Sequence, residues 1–287
     1  MIRISKISFP GFGIGEFEIE SAAISFGNFE IAWYAIIITI GMIFAVSHLI
    51  FRASQVGINA DTVIDYALFT IPIGIIGARL YYVIAEIEQF DSFAEIINIR
   101  SGGLAIYGGI IAGALTVYVV SRVKKIPFLV FADCCTPGIL LAQAIGRWGN
   151  FTNGEAFGAQ TDWFCRMGLN NALTGFQTIY VHPTFLYESI WNLMGFIIAN
   201  IFHKKRQYDG QVFLFIFGWY GFGRMFIEGL RADSLYATVF GIEFRISQVL
   251  AAVIFTACLT ALIYFSIKKP KKKLYYHGYT RYTKKEK

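Results

Sequence analysis

The chain has 287 residues, of which 56% are hydrophobic, 17% aromatic and 15% charged, with a mean hydropathy of +0.54. That is too apolar for an ordinary water-soluble domain. The formal charge of +6 would suit a nucleic-acid partner if it covered one face, but the lysines are confined to short segments whose spacing reports membrane topology, so no nucleic acid is expected.

Residues 1–29 form an arm in which Phe9, Phe12, Phe17, Ile19 and Phe26 stand among glycines and acidic residues. The arm is expected to lie as an interfacial segment on the extracytoplasmic surface. It lacks the cationic start, apolar core and small-residue cleavage site of a signal peptide, so the first spanning run is expected to be retained. Seven apolar runs follow, at about 30–51, 63–84, 103–121, 128–147, 184–202, 211–229 and 246–267. Each is long enough to cross a hydrocarbon core of about 30 Å at about 1.5 Å per residue. The expected fold is an all-α polytopic membrane protein of about seven transmembrane helices. It comprises an outer arm (1–29), a membrane domain (30–267) and a basic tail (268–287), with an outer loop or head at 150–183 between helices four and five. That loop holds Trp163, Phe164, Phe176 and Tyr180, a content that favours an ordered cap.

Apart from Lys6, the lysines sit at Lys124 and Lys125, at Lys204 and Lys205, and in the tail from Lys268. These places follow runs three, five and seven, which share one side, and the positive-inside rule makes that side cytoplasmic. The N-terminus is then outside, and the tail is placed to touch anionic lipid. Cys134, Cys135, Cys165 and Cys258 show no metal-ligand spacing, so they are taken as packing residues and neither a metal nor a cofactor is expected.

An ionisable group at the centre of a spanning helix costs about 2.5–3.5 kcal/mol, so such residues mark candidate sites. Arg79, in the second run, is a candidate cation beside Tyr81 and Tyr82. The third run opens SGGLAIYGGIIAG, where helix packing accounts for Gly109 and Gly113, but Tyr107 needs a polar partner if buried. Asp133, in the fourth run, is expected to buttress a donor or an arginine. The densest polar stretch is GRWGNFTNGEAFG, Gly146–Gly158, with Arg147, Asn150, Asn153 and Glu155 at the end of the fourth run. A break at Gly149 would let backbone donors and the guanidinium meet one ligand, naturally a phosphate; the plain alternative is a snorkelling arginine and a turn. HPTFLYES puts His182 before Pro183, with Tyr187 and Glu188 on the following helix. In the sixth run Tyr220, Arg224 and Glu228 recur every four residues along one face, either as a structural ion pair or as a carboxylate orienting a substrate-binding arginine. No nucleotide-binding phosphate loop, HExxH motif or hydrolytic serine arrangement is present.

GRWGNFTNGEAFG resembles the signature of the bacterial phosphatidylglycerol-prolipoprotein diacylglyceryl transferases. It is joined in the same order by AWYA at Tyr34, GARLYYV at Arg79, GGLAIYGG, HPTFLYE and GWYGFGRMFIEGLR. The resemblance covers all but the arm and tail. It implies transfer of the diacylglyceryl group of phosphatidylglycerol to the lipobox cysteine of a preprolipoprotein, giving a thioether and releasing glycerol phosphate, in a bacterial plasma membrane. It also implies roles for Tyr34, Arg147, Asn150, Glu155, Gly158, Tyr220 and Arg224, with both arginines on the phosphate. Asn153 and Arg79 join the expected lipid-binding set, while Glu228, His182, Glu188 and Asp133 are expected in support.

One departure is that some members carry a histidine, proposed as the base, where this chain has Tyr107. A phenol of ordinary pKa about 10 is a poor base unless arginines lower it. Glu155, His182 or an unassisted thiol of pKa about 8.5 are the other proton routes. The competing function is a carrier or channel for an organic anion lined by Arg79, Arg147 and Arg224; an intramembrane protease, lacking a serine dyad or aspartate pair, is remote.

Overall fold

The computed structural model describes residues 4–27, 29–99, 102–203, 205–232, 236–239, 242–268, 275–276 and 279–280. Seven long helices carry the chain: α1 (Trp33–Ser54), α2 (Ala60–Ala85), α3 (Ile106–Val123), α4 (Phe128–Asn153), α5 (Thr184–His203), α6 (Gln211–Leu230) and α7 (Ile246–Lys268). All but α6 are long and apolar enough to cross a membrane. α6 is of similar length, but Arg224 and Glu228, with Gly218, Gly221, Gly223 and Gly229, dilute its apolarity. Only 11% of the spanning stretch of α1, and the same share of α7, is buried. Side chains such as Ile43, Ile84 and Val253 are left well exposed. Exposing that much apolar area to water, at about 25 cal/mol per Å², would be costly, so these faces require hydrocarbon. The chain is a multi-pass membrane protein. Arg100, Lys204 and the basic stretch 269–274 of the tail fall outside the described residues.

The fold divides into two compact units, residues 1–48 with 135–274 and residues 49–134 with 275–287. In the second unit, Asn59 caps α2 by accepting from the Thr62 amide at 3.0 Å, with Asp61 in the first turn. α2 and α3 then pack backbone to backbone. A Cβ on Gly77 would lie 2.3 Å from that of Ala112, and one on Gly108 would lie 2.3 Å from the Gly77 carbonyl oxygen. The glycines around Tyr107 therefore serve helix packing.

In the first unit, a Cβ on Gly138 would fall 2.8 Å from the Ala45 carbonyl oxygen, so α1 and α4 also approach closely. α5 and α6 are clasped by Trp191 and Trp219, whose rings stack at 4.2 Å. Each indole N–H donates to the other's carbonyl at 3.0 Å, which satisfies two partly buried donors at once. Gly223 and Gly195 leave the space these indoles fill.

Strands are what the expectation of an all-α chain lacked. β1 (Ile4–Phe9), β2 (Ile14–Glu20), β5 (Met167–Asn170) and β6 (Ile179–Val181) form an antiparallel sheet in the order β2-β1-β5-β6, while β3 (Ala22–Phe26) pairs with β4 (Phe29–Ala32) and β7 (Tyr236–Val239) with β8 (Ile242–Arg245). The arm and the 150–183 connection thus build one sheet. Its register sets Ile7 opposite Leu169 and Phe17. Alternation along β1 turns Ser5 and Ile7 inward, and Ile7, Met167, Leu169 and Val181 bury against Phe185 of α5. The alternation is hidden in the sequence because inward Ser5 is polar and outward Ile4 is apolar.

Candidate active site

α4 does not break at Gly149. It runs unbroken to Asn153, so Arg147 and Asn150 occupy one helical face a turn apart. Gly149 serves instead as the floor for Tyr34, whose ring would lie 2.6 Å from a Cβ there. The Tyr34 phenol lies within the field of Glu155 and Arg147.

The centre of the site is Glu188, which is 3% exposed. Its Oε1 accepts from Arg147 Nη2 at 2.5 Å and its Oε2 from Arg224 Nη1 at 2.9 Å. Arg224 Nη2 in turn pairs with Glu228 Oε2 at 2.6 Å, and Arg147 Nη1 donates to Asn150 Oδ1 at 3.2 Å. Asn150 and Asn153 both donate to Glu155 Oε1, at 3.2 and 3.0 Å. A continuous polar chain therefore runs Glu228, Arg224, Glu188, Arg147, Asn150, Glu155, Asn153. Arg147 and Glu188 lie within two turns of the α4 C-terminus and the α5 N-terminus, and Arg224 within two turns of the α6 C-terminus. Tyr220, one turn before Arg224, lies in the field of the same charges.

Each guanidinium has five N–H donors in a fixed fork. The two named bonds of each arginine hold it in place and leave donors for an anionic ligand. Sequence reading singled out both arginines and gave Glu188 only a supporting part. Two arginines from two helices had to be brought onto one carboxylate of a third, which no local spacing reveals.

The sheet fixes the segment that follows. Gly154, at φ +60°, uses the left-handed region open to glycine, and its carbonyl accepts from Asn171 Nδ2 at 2.9 Å. The same Asn171 nitrogen donates to Ser5 Oγ of the arm at 3.1 Å. Ser5 and Asn171 were absent from the expected site, and nothing in their local sequence signals the contact. Gly158 donates to the His182 carbonyl at 2.9 Å, and a Cβ there would sit 2.8 Å from the Leu230 carbonyl oxygen. His182 Nδ1 lies 3.2 Å from the Tyr187 hydroxyl, which is 3.0 Å from Cys165 Sγ. Burial pushes the His182 imidazole below its ordinary value, favouring the neutral ring.

Arg79, Tyr107 and Asp133 belong to the second unit. Arg79 is 7% exposed and donates to the carbonyls of Glu95, Ile96, Gly102 and Gly103 at 2.6–2.9 Å, with Phe90 and Tyr82 beneath it. These are partners other than the lipid phosphate expected for it. Tyr107 is partly buried beside Tyr81, with ring centroids 6.5 Å apart. Asp133 is fully buried.

Fold and site together define a multi-pass membrane protein with a buried polar site of paired arginines and carboxylates. A family model described as prolipoprotein diacylglyceryl transferase matches residues 21–264. The chain is 41% identical over 264 residues to the phosphatidylglycerol–prolipoprotein diacylglyceryl transferase of Listeria welshimeri, covering 89% of this chain and 93% of the relative. It is likewise 41% identical to the enzyme of that name from Enterococcus faecalis, covering 90% and 98%. A third relative, from Clostridium perfringens, is 41% identical with 89% and 98% covered. The chain belongs to the prolipoprotein diacylglyceryl transferase family.

Proposed function

We infer that this chain moves the diacylglyceryl group of phosphatidylglycerol onto the lipobox cysteine of a preprolipoprotein. The supporting observation is the pair of arginines held on Glu188 in a protein of this family. In the reaction the cysteine sulfur attacks a glycerol carbon, a carbon–sulfur bond forms, and the carbon–oxygen bond to the phosphate breaks with release of glycerol phosphate. Charge grows on the departing phosphate, and Arg147 and Arg224, already oriented by Glu188 and Glu228, stabilise it without reorganising. Asn150 and Asn153 orient Glu155 and the lipid headgroup, Tyr34 and Tyr220 line the lipid's path, and Gly158 gives backbone clearance. Arg79 is assigned a structural part in the second unit, where it holds the connection before Tyr107. Neither the family match nor the names of the relatives supports the carrier reading.

The finer topology belongs to the same proposal. α6 crosses the membrane as a seventh span, made tolerable by its paired charges. The lysines place the C-terminus in the cytoplasm and the arm and 150–183 connection outside, so that 1–29, 30–267 and 268–287 act as outer arm, catalytic domain and cytoplasmic tail. Tyr107, Glu155 and His182 are the groups proposed to receive the thiol proton. Tyr107→Phe with near-normal turnover removes the phenol from that role.

The test is incubation of the purified protein with phosphatidylglycerol and a lipobox peptide, followed by peptide mass. A gain of one diacylglyceryl unit, absent with a Cys-to-Ser peptide, is the expected result. No gain from folded protein and sound lipid rejects this substrate pair.

A further inference from the structure

Glu188 and both arginines occupy one level of the first unit. One turn further into the membrane segment lies a second polar level that the reaction as described does not use. Asn192 follows Glu188 by four residues on α5 and is 0% exposed, yet among the described residues neither its Nδ2 nor its Oδ1 has a hydrogen-bond partner. Gln143 precedes Arg147 by four residues on α4, and its buried Oε1 also lacks a partner among the described residues.

The two amides share a level because α4 and α5 run antiparallel and their contacts fix the register. Arg147 meets Glu188, and Ser189 Oγ donates to the Ala144 carbonyl at 2.8 Å. Further in, Leu140 packs with Ala199, and its Cδ1 would lie 3.0 Å from a Cβ on Gly195. Gln143 and Asn192 fall between these two layers. A fully buried carboxamide without a partner is costly in a folded protein, and when such a group is retained its partner is to be sought in a ligand.

We propose that Asn192, backed by Gln143, binds the glycerol esters of the substrate lipid, an inference that rests on the transferase reading above. Asn192 Nδ2 donates to an ester carbonyl of the diacylglyceryl group, and Gln143 turns its Nε2 to donate to Asn192 Oδ1. The chemistry suits the level. Charged donors meet the phosphate, and one turn inward, about 5.4 Å, uncharged amides meet the neutral carbonyls that the glycerol backbone holds at a similar distance from it. Elsewhere in the same unit α5, α6 and α7 line an apolar cavity of about 230 Å³ that includes Trp191, Phe222 and Phe255, a place for hydrocarbon. The arginines thus recognise the leaving group and the amides the group transferred.

The experiment compares diester phosphatidylglycerol with its diether analogue of the same chain length, which lacks the carbonyls, in the lipobox-peptide assay. Wild type should favour the diester by about tenfold in kcat/KM, the worth of one well-made hydrogen bond. Asn192→Leu should bring that ratio close to one by slowing the diester alone. It should melt no lower than wild type, because an unpaired buried amide has been removed. A variant that keeps the wild-type ratio, or a wild type that shows no preference, overturns the proposal. Should Asn192→Leu fail to fold, Asn192→Ala removes the donors without added bulk and carries the same comparison. A wild type that makes no thioether from either lipid instead sinks the transferase reading itself.

Discussion

Arg79 and the pair Arg147 and Arg224 are the same residue type in the same kind of helix, and they are held in opposite ways. Four neutral carbonyls of the 95–103 segment surround Arg79. Carboxylates hold the other two, which share Glu188. A guanidinium that gives four of its five donors to backbone oxygens of one connection is proposed as a structural clip. One held by a carboxylate, with a second carboxylate on Arg224 and the Asn150 amide on Arg147, is oriented and charge-compensated while keeping donors for a ligand. The difference teaches that an intramembrane arginine takes its role from its partners and not from its depth or its neighbours in sequence.

The comparison can be broken most directly at the arginines of the first unit. Arg147→Lys keeps the charge but loses the fork, and transfer to the lipobox peptide should fall about 10²- to 10³-fold, as for loss of one transition-state donor. A loss below about tenfold would mean that orientation of Arg147 contributes little. Next, Glu188→Gln removes the carboxylate both arginines share. It should cost about 3 kcal/mol of stability, since breaking a buried ion pair leaves charge uncompensated, and it should slow transfer. Denaturation in detergent and the peptide assay, run on the same preparation, check both parts. If stability fell while turnover per folded molecule held, Glu188 would be structural only.

Arg79→Met should separate the two classes. Loss of its carbonyl bonds is expected to cost about 3 kcal/mol, yet turnover per folded molecule should stay within about threefold of wild type. A large catalytic defect in folded Arg79→Met would erase the distinction drawn above. The smallest effect concerns His182. Burial lowers its pKa in the folded state, so its stabilising contribution is fully present above the unfolded value of about 6.5 and is lost as pH falls through the lower folded value. Melting temperature should therefore drop more steeply between about pH 7 and 5 in wild type than in His182→Gln.

Much of the fold was legible because length and apolarity are local properties. The run at 211–229 and helix α6 (Gln211–Leu230) differ by one residue. The fourth apolar run ends six residues short of Asn153, because Arg147, Gly149 and Asn150 look like an ending to any rule based on apolarity. The strands escaped because β1 and β5 are separated by most of the chain, and pairing Lys6 with Asn170 is a long-range choice. The site was half legible: Arg224 and Glu228 stand four residues apart on one helix, whereas Arg147 and Glu188 are 41 apart and meet only when α4 packs on α5.

By itself the sequence determined that the chain lives in a membrane, where its long helices begin and end to within a few residues, which residues carry costly charge, and which family it resembles. Each of these follows from side-chain chemistry at fixed spacing along one segment. Tertiary structure alone decided that Glu188 holds two arginines, that Arg79 is bound by carbonyls, that Ser5 of the arm and Gly154 of the signature share Asn171, and that Asn192 is buried without a partner among the described residues. The physical reason is that a charge or a donor inside a membrane protein is defined by what compensates it, and those partners arrive on other elements of the fold.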